Sequence, residues 1–228
     1  MPQQRRWHDF DSAASLASAA AAAILDAASE AIATRRAFHL VLAGGTTPKR
    51  IYEMLAAASA QWRYWHIYFG DERCLPADHE QRNSRMANDA WLSRVAIPPA
   101  QIYPIAAERG AAVAAREYAR TLAGIELFDL VLLGLGEDGH TASLFPGQVK
   151  PRARSAVVPV FDAPKPPAER VSLSVRRLSA TRQLIFLVTG SAKLAAVGAW
   201  RSGQAIPAAL IAPAAGVVIY VEVSLTAV

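Results

Sequence analysis

The feature that most limits the fold is a recurring triplet: a short apolar run, a glycine-containing loop, then a segment with helical spacing. It appears at Ala37–Ala43 (AFHLVLA), followed by Gly44-Gly45-Thr46-Thr47-Pro48 and KRIYEML. It recurs at Trp65–Phe69 (WHIYF), followed by Gly70-Asp71-Glu72-Arg73. Phe128–Leu133 runs into Gly134 to Thr141, and Leu184–Thr189 into Gly190, Ser191 and Lys193. Apolar runs of this length bounded by turn residues read as buried strands. Strands alternating with helical segments predict a parallel sheet, since a parallel pair needs a crossover. Ala156–Phe161, Arg170–Val175 and Val217–Val221 bring the predicted strands to about seven, with Arg170–Val175 expected to be half-exposed because it alternates. The fold class is therefore α/β, a mostly parallel sheet with helices on both faces. No repeat or low-complexity linker interrupts the chain, so residues 1–228 are expected to form one domain.

The remaining helices follow from spacing. Leu16, Ala20, Ile24, Ala27 and Ala31 form one stripe of a first helix over about Ser12–Thr34, capped by Asp11 or Ser12. The Ala-rich run Ala13–Ala33 follows Arg5 and Arg6 as a leader would, but Asp26 and Glu30 interrupt it, so no membrane span or targeting segment is expected. Further helices are predicted over Asn83–Arg94, with Met86, Ala90 and Leu92 inward, and over Glu108–Ala123, anchored by Val113, Tyr118 and Leu122 and closed by Gly124. His39, inside an apolar run, reads as a core or edge histidine.

Charge narrows the partners. The chain carries 24 Lys and Arg against 19 Asp and Glu, a net +5, without a dense basic block. A nucleic-acid surface would cluster its cations. A small anionic substrate accounts for a few placed cations instead. The lone Cys74 excludes an intrachain disulfide and suits a reducing compartment, the cytoplasm. It reads as a spectator thiol, although His79 lies near it in sequence.

The chemistry concentrates after Leu133, where Glu137, Asp138 and His140 stand among Gly134, Gly136 and Gly139. In open α/β sheets, ligands bind outside the carboxyl ends of strands. Gly44–Pro48 supplies a second element: Thr47 as N-cap and Pro48 as first helical residue would leave backbone N–H groups pointing at an anion. No GK[ST] follows, so this is not a P-loop. Lys193 sits in a helix's first turn, against the dipole, and an anion would explain it. Asp71, Glu72 and Arg73 follow another strand, and Arg170 and Arg176 are further ligand candidates.

Together LAGGTTPKRIYEML (42–55), FGDERCLPADHEQRN (69–83), DLVLLGLGEDGHTASLFPG (129–147), RVSLSV (170–175) and VTGSAKLAAV (188–197) resemble the 6-phosphogluconolactonases, in the superfamily that includes glucosamine-6-phosphate deaminases. The resemblance implies a Rossmann-like fold without cofactor or metal, acting on a phosphosugar lactone as a monomer or weak homo-oligomer. It implies a phosphate held by Gly44, Gly45 and Thr46 with Arg170 and Lys193. Arg73 and His140 would face the lactone, with His140 as general base, Asp138 beside it, and Asp71 and Asn83 in the substrate site. Whether His140 meets water directly or through Asp138 stays open, and covalent catalysis by Ser143 or Thr141 is the weaker alternative. The deaminases carry an acid where this chain has Phe145, which favours a lactonase. A non-catalytic sugar-phosphate sensor is the other rival; no DNA-binding module precedes the first βα unit. Arg82, where the family often has serine, would be a further cation near the site or point to solvent. The segment QVKPRAR after Gly147 departs from the family pattern.

Overall fold

The computed structural model describes residues 3–151 and 153–222; Arg152, within QVKPRAR, lies outside them. Among the described residues there are six α-helices and ten strands, and the strands form two sheets. The central sheet comprises β1 (Arg5–Phe10), β2 (Phe38–Leu42), β3 (Trp65–Phe69), β5 (Ile102–Tyr103), β6 (Phe128–Gly134), β9 (Thr181–Val188) and β10 (Val217–Glu222), in the order β1-β10-β9-β6-β2-β3-β5. Every pair in it is parallel. The apolar runs fall where the sequence places them, and Phe128–Leu133 is buried along its whole length. Each large apolar side chain so buried contributes roughly 1.5–3 kcal/mol.

The strand order places the site. From β2 the chain builds outward through β3 and β5, then returns to the other side of β2 with β6 and continues to β9 and β10. The order therefore switches between β2 and β6. At such a point the loops leaving the two carboxyl ends diverge and open a crevice. Those are residues 43–45, which lead into the helix over 46–56, and residues 135–140.

Helix α1 (Ala13–Arg35) starts at Ser12, whose side chain forms a capping box with Ser15. It is long and apolar enough to cross a membrane. Its whole predicted stripe is instead buried within the fold, from Leu16 to Ala31. Helix α2 (Thr46–Ala56) begins two residues earlier than expected, with Gly45 as N-cap at φ 109°. That left-handed angle favours glycine over any residue with a Cβ. Thr47 is thus inside the helix, and its hydroxyl lies 2.6 Å from the Thr189 hydroxyl at the end of β9.

Several expectations are corrected. Asp71–Arg73 is a strand, β4, not a loop. It joins β7 (Val157–Val160) and β8 (Arg170–Leu173) in an antiparallel sheet of order β4-β8-β7. Strand β8 is buried throughout rather than half-exposed, because β4 and β7 flank it and α4 (Ala111–Thr121) packs against it. Helix α3 (Asn83–Ala90) stops short of Arg94 and is followed by a 3-10 turn over Leu92–Arg94, and Met86 is only half-buried. Gly110, at φ 81°, separates α4 from a preceding 3-10 turn. Leu122 rather than Gly124 caps its end. The sequence reading also missed β1 and the short α5 (Val175–Ser179).

Candidate active site

A cavity of about 310 Å³ occupies the switch point. Gly44, Gly45, Thr46, Asp71, Arg73, Asn83, His140, Arg170 and Lys193 all line it, nine of the ten residues expected of the site. Asp138, the tenth, lies behind His140 and off the wall.

His140 leaves β6 on a tight turn in which the Gly136 N–H donates to the His140 carbonyl at 2.7 Å. The return folds the imidazole over Gly136, where a Cβ would stand 2.0 Å from Nδ1. Only glycine admits the ring there. Asp138 Oδ1 lies 2.5 Å from His140 Nδ1 and also accepts the His140 backbone N–H at 3.1 Å. Partial burial pushes the Asp138 carboxyl up, but the backbone N–H and the ring of His140 outweigh it and hold the group below its ordinary value. An ionised Asp138 accepts only, so Nδ1 carries a proton, and a neutral imidazole held this way has its lone pair on Nε2. Phe145, 2% exposed, sets its ring 4.6 Å from that of His140.

The cations converge through the small sheet. Arg73 and Arg170 are direct partners across the β4–β8 pair. Like charges opposed this way repel unless an anion or a carboxylate lies between them. Among the described residues neither arginine is ion-paired. Arg170 is 6% exposed and donates to the carbonyls of Lys165, Pro166 and Pro167. Burial first, then Arg73, pushes its guanidinium below the usual arginine value. Arg73 donates to the Gln81 carbonyl, and its buried Nε has no partner among the described residues. Lys193 ends the 3-10 turn Ser191–Lys193 and is the N-cap residue of α6 (Leu194–Arg201), just ahead of the first turn in which it was expected. At the α2 end, the first N–H groups have no partner inside the helix, so Thr46 and Thr47 present theirs to the cavity.

Asp71 and Asn83 form a support the sequence did not reveal. Asn83 Nδ2 donates to the Asp71 carbonyl at 2.9 Å and to Oδ1 at 3.1 Å. Ser143 Oγ donates to Asp71 Oδ2 at 2.6 Å. That bond gives Ser143 a structural job and leaves its hydroxyl facing a carboxylate. Thr141 Oγ1 likewise donates to the Gly134 carbonyl. Gly44 is needed because a Cβ would fall 2.0 Å from Asn83 Oδ1. Glu72, fully buried, accepts the backbone N–H groups of Asn83 and Ser84 and so caps α3. Arg82 pairs with Glu72 at 3.1 Å and with Glu108 at 3.1 Å, and is 2% exposed. It faces neither the site nor solvent; it pins the 72–83 segment. Arg176 reaches the Arg154 carbonyl and not the cavity. Burial and then Glu169 push the Cys74 thiol up to about 11, which leaves it a poor nucleophile. Thr189 and Ala142 also line the cavity, a contribution without local sequence signal. Among the described residues no three His, Cys, Asp or Glu side chains assemble as a metal-ligand set.

Known proteins carry the same architecture. The family model described as glucosamine-6-phosphate isomerases/6-phosphogluconolactonase matches residues 11–220. A chloroplastic 6-phosphogluconolactonase 3 of Arabidopsis thaliana is 36% identical over 183 residues, 72% of this chain and 56% of that protein. The chain thus spans little more than half the length of that relative. The 6-phosphogluconolactonase of Mycobacterium leprae is 35% identical over 224 residues, 92% of this chain and 90% of the relative. A crystal structure of 6-phosphogluconolactonase from Thermotoga maritima superposes with a TM-score of 0.89 at 26% identity, covering 96% of this chain and all of that one. With the switch-point cavity and its glycine, histidine and arginine contributions in place, these matches put the chain in the glucosamine-6-phosphate isomerase/6-phosphogluconolactonase family.

Proposed function

We propose that the chain hydrolyses 6-phospho-D-glucono-1,5-lactone to 6-phospho-D-gluconate, the oxidative pentose phosphate reaction, with His140 as general base. The observation that carries this reading is the Asp138–His140 pair, 2.5 Å apart, at a cavity that Arg73 and Arg170 also line without ion-pair partners among the described residues. The phosphate sits among Arg170, Lys193 and the N–H groups of Gly45 and Thr46. Their charge-assisted bonds are individually worth roughly 1.5–3 kcal/mol.

His140 Nε2 takes a proton from water as the oxygen attacks lactone C1. Ionised Asp138 stabilises the imidazolium that forms and keeps the ring aimed. Arg73 faces the oxyanion on the carbonyl oxygen. Collapse breaks the bond from C1 to the ring oxygen, and the proton on Nε2 passes to that oxygen. Asp138 is thus a positioning residue. Phe145, packed against the histidine, supplies no acid for the amino-sugar chemistry of the deaminases. The names of the relatives point the same way. The reading needs no cofactor or metal, no nucleic acid and no membrane. We place the enzyme in the cytoplasm as one domain, monomeric or weakly self-associating; a single, free cysteine suits that compartment.

The test assays purified protein on 6-phosphogluconolactone, with spontaneous hydrolysis subtracted, beside glucosamine 6-phosphate. Acid release well above background on the lactone alone is expected. A lactone rate equal to background, or deamination of the amino sugar, overturns the assignment.

A further inference from the structure

Phe145 is the side chain whose ring lies against both working parts of the cavity. Its centroid is 4.6 Å from that of His140, at an interplanar angle of 46°. The Arg170 guanidinium carbon stands 5.6 Å from the same centroid. Both neighbours are cationic at some stage: Arg170 always, and His140 once it has taken a proton from water. An aromatic face attracts each. Phe145 itself is 2% exposed and cannot swing away without opening a void.

Each neighbour is otherwise held by a different part of the chain. His140 is fixed by Asp138 Oδ1 and by its close approach to Gly136, both within its own loop. Arg170 is fixed by the carbonyls of Lys165, Pro166 and Pro167, in the segment before β8. The turn carrying Phe145 is itself braced, with the Leu144 N–H on the Thr141 carbonyl and the Gln148 N–H on the Phe145 carbonyl. The ring is therefore a fixed body between two groups that must keep a set separation, one at the carbonyl and one at the phosphate.

We propose that Phe145 is a positioning residue that couples the base to the anion site: its ring holds the His140 imidazole and the Arg170 guanidinium at a common spacing. This rests on the lactonase reading above. A ring acting on both groups affects turnover and binding together, whereas a core filler affects only stability.

The experiment compares Phe145→Leu and Phe145→Tyr with the unsubstituted enzyme. It measures kcat and KM on 6-phosphogluconolactone, the Kd for inorganic phosphate by calorimetry, and thermal unfolding. In F145L, kcat is expected to fall about threefold or more while KM and the phosphate Kd rise by a similar factor, the scale of one lost cation–ring contact at each neighbour. F145Y keeps the ring and is expected to restore both to within about twofold. A lowered Tm with unchanged kcat, KM and phosphate Kd overturns the proposal. Should the Phe145 variants fail to fold, Arg170→Lys decides. Lysine keeps the charge but loses the planar group that lies on the ring. Coupling predicts a lower kcat as well as a higher KM, and a change in KM alone overturns it. If the unsubstituted protein does not hydrolyse the lactone, the proposed function fails, while the phosphate Kd still reads the link between Phe145 and Arg170.

Discussion

At the amino-terminal end of the central sheet, a cavity of about 250 Å³ is lined by Arg35, His39, Asp129 and Arg182 among others. At the carboxyl end, the larger cavity holds Arg73, Arg170, Lys193 and His140. Both ends are built from arginine, histidine and aspartate, but the groups are spent differently. Asp129 is 5% exposed; its Oδ1 accepts from Arg35 Nε and Nη2, and its Oδ2 from the His39 backbone N–H. Arg182 stands 3.5 Å away. There both cations share a carboxylate partner. At the other end the two arginines face each other, and the nearby carboxylates are committed elsewhere: Asp71 to Asn83 and Ser143, Asp138 to His140. Residual charge that the fold does not satisfy is what a bound anion would answer, which is why the proposed site lies at the carboxyl end. The first way to break this contrast is to remove one histidine from each end. His140→Ala is expected to lower kcat by about 10²–10⁴-fold, the usual contribution of a positioned base. His39→Ala is expected to leave kcat within about twofold, on the assay for 6-phosphogluconolactone. Equal losses would show that the two ends do not differ in function.

The glycines offer a second break. Gly136→Ala places a methyl 2.0 Å from His140 Nδ1 and must displace the ring. Misplacing a catalytic group by about 1 Å can cost about 10²-fold, so a loss of that order in kcat is expected, with unfolding little changed. Gly124→Ala, near the opposite cavity and with open space around its Cβ, serves as the control and is expected to leave kcat alone. A third comparison uses the cations. Lys193→Ala is expected to raise KM about tenfold or more by removing one charge-assisted contact to phosphate, with little change in kcat. Arg182→Ala is expected to change neither constant. A KM unaffected by Lys193→Ala would remove that lysine from the anion site.

Much of this contrast was legible from sequence because its ingredients are local. The apolar runs of β2, β3, β6 and β9, the stripe of α1 and the Ser12 cap depend on neighbours within a few residues. So does the turn from Gly136 to His140. What escaped depends on partners far along the chain. β1 reads as six polar or mixed residues and is a strand because β10 pairs with it at the sheet edge. β4 looks like a charged turn until β8 pairs with it, and only that pairing sets Arg73 opposite Arg170. Thr47 looks like an N-cap until Thr189 takes its hydroxyl and Gly45 becomes the cap. Arg82 looks like a stray cation until Glu72 and Glu108 enclose it. The nine wall residues were named from the ends of apolar runs and from the family resemblance; how Asp71, Asn83 and Ser143 brace one another was not.

The smallest expected effect concerns stability at the amino-terminal end. The His39 and His66 rings stack there at 4.7 Å, and each Nδ1 lies near a tyrosine hydroxyl, that of Tyr68 or Tyr103. Burial, and then His66, pushes the His39 ring below its ordinary value; burial does the same to His66. Both rings are therefore neutral in the folded chain at a pH where the unfolded chain, with histidines near 6.5, already binds protons. The unfolded state then holds more protons, so stability is lost as pH falls below about 6.5. His66→Gln removes one of the two groups and relieves the other of a neighbour whose protonation would oppose its own. Its Tm is expected to fall less steeply than that of the unsubstituted protein between about pH 6.5 and 5, by a few degrees at most, since both rings are partly solvated. Calorimetric scans across that range check it, and parallel slopes would show that the stacked pair does not set the acid limit. Lactone turnover at neutral pH should be the same in both proteins, because the group removed lies at the end of the sheet whose charges are already satisfied.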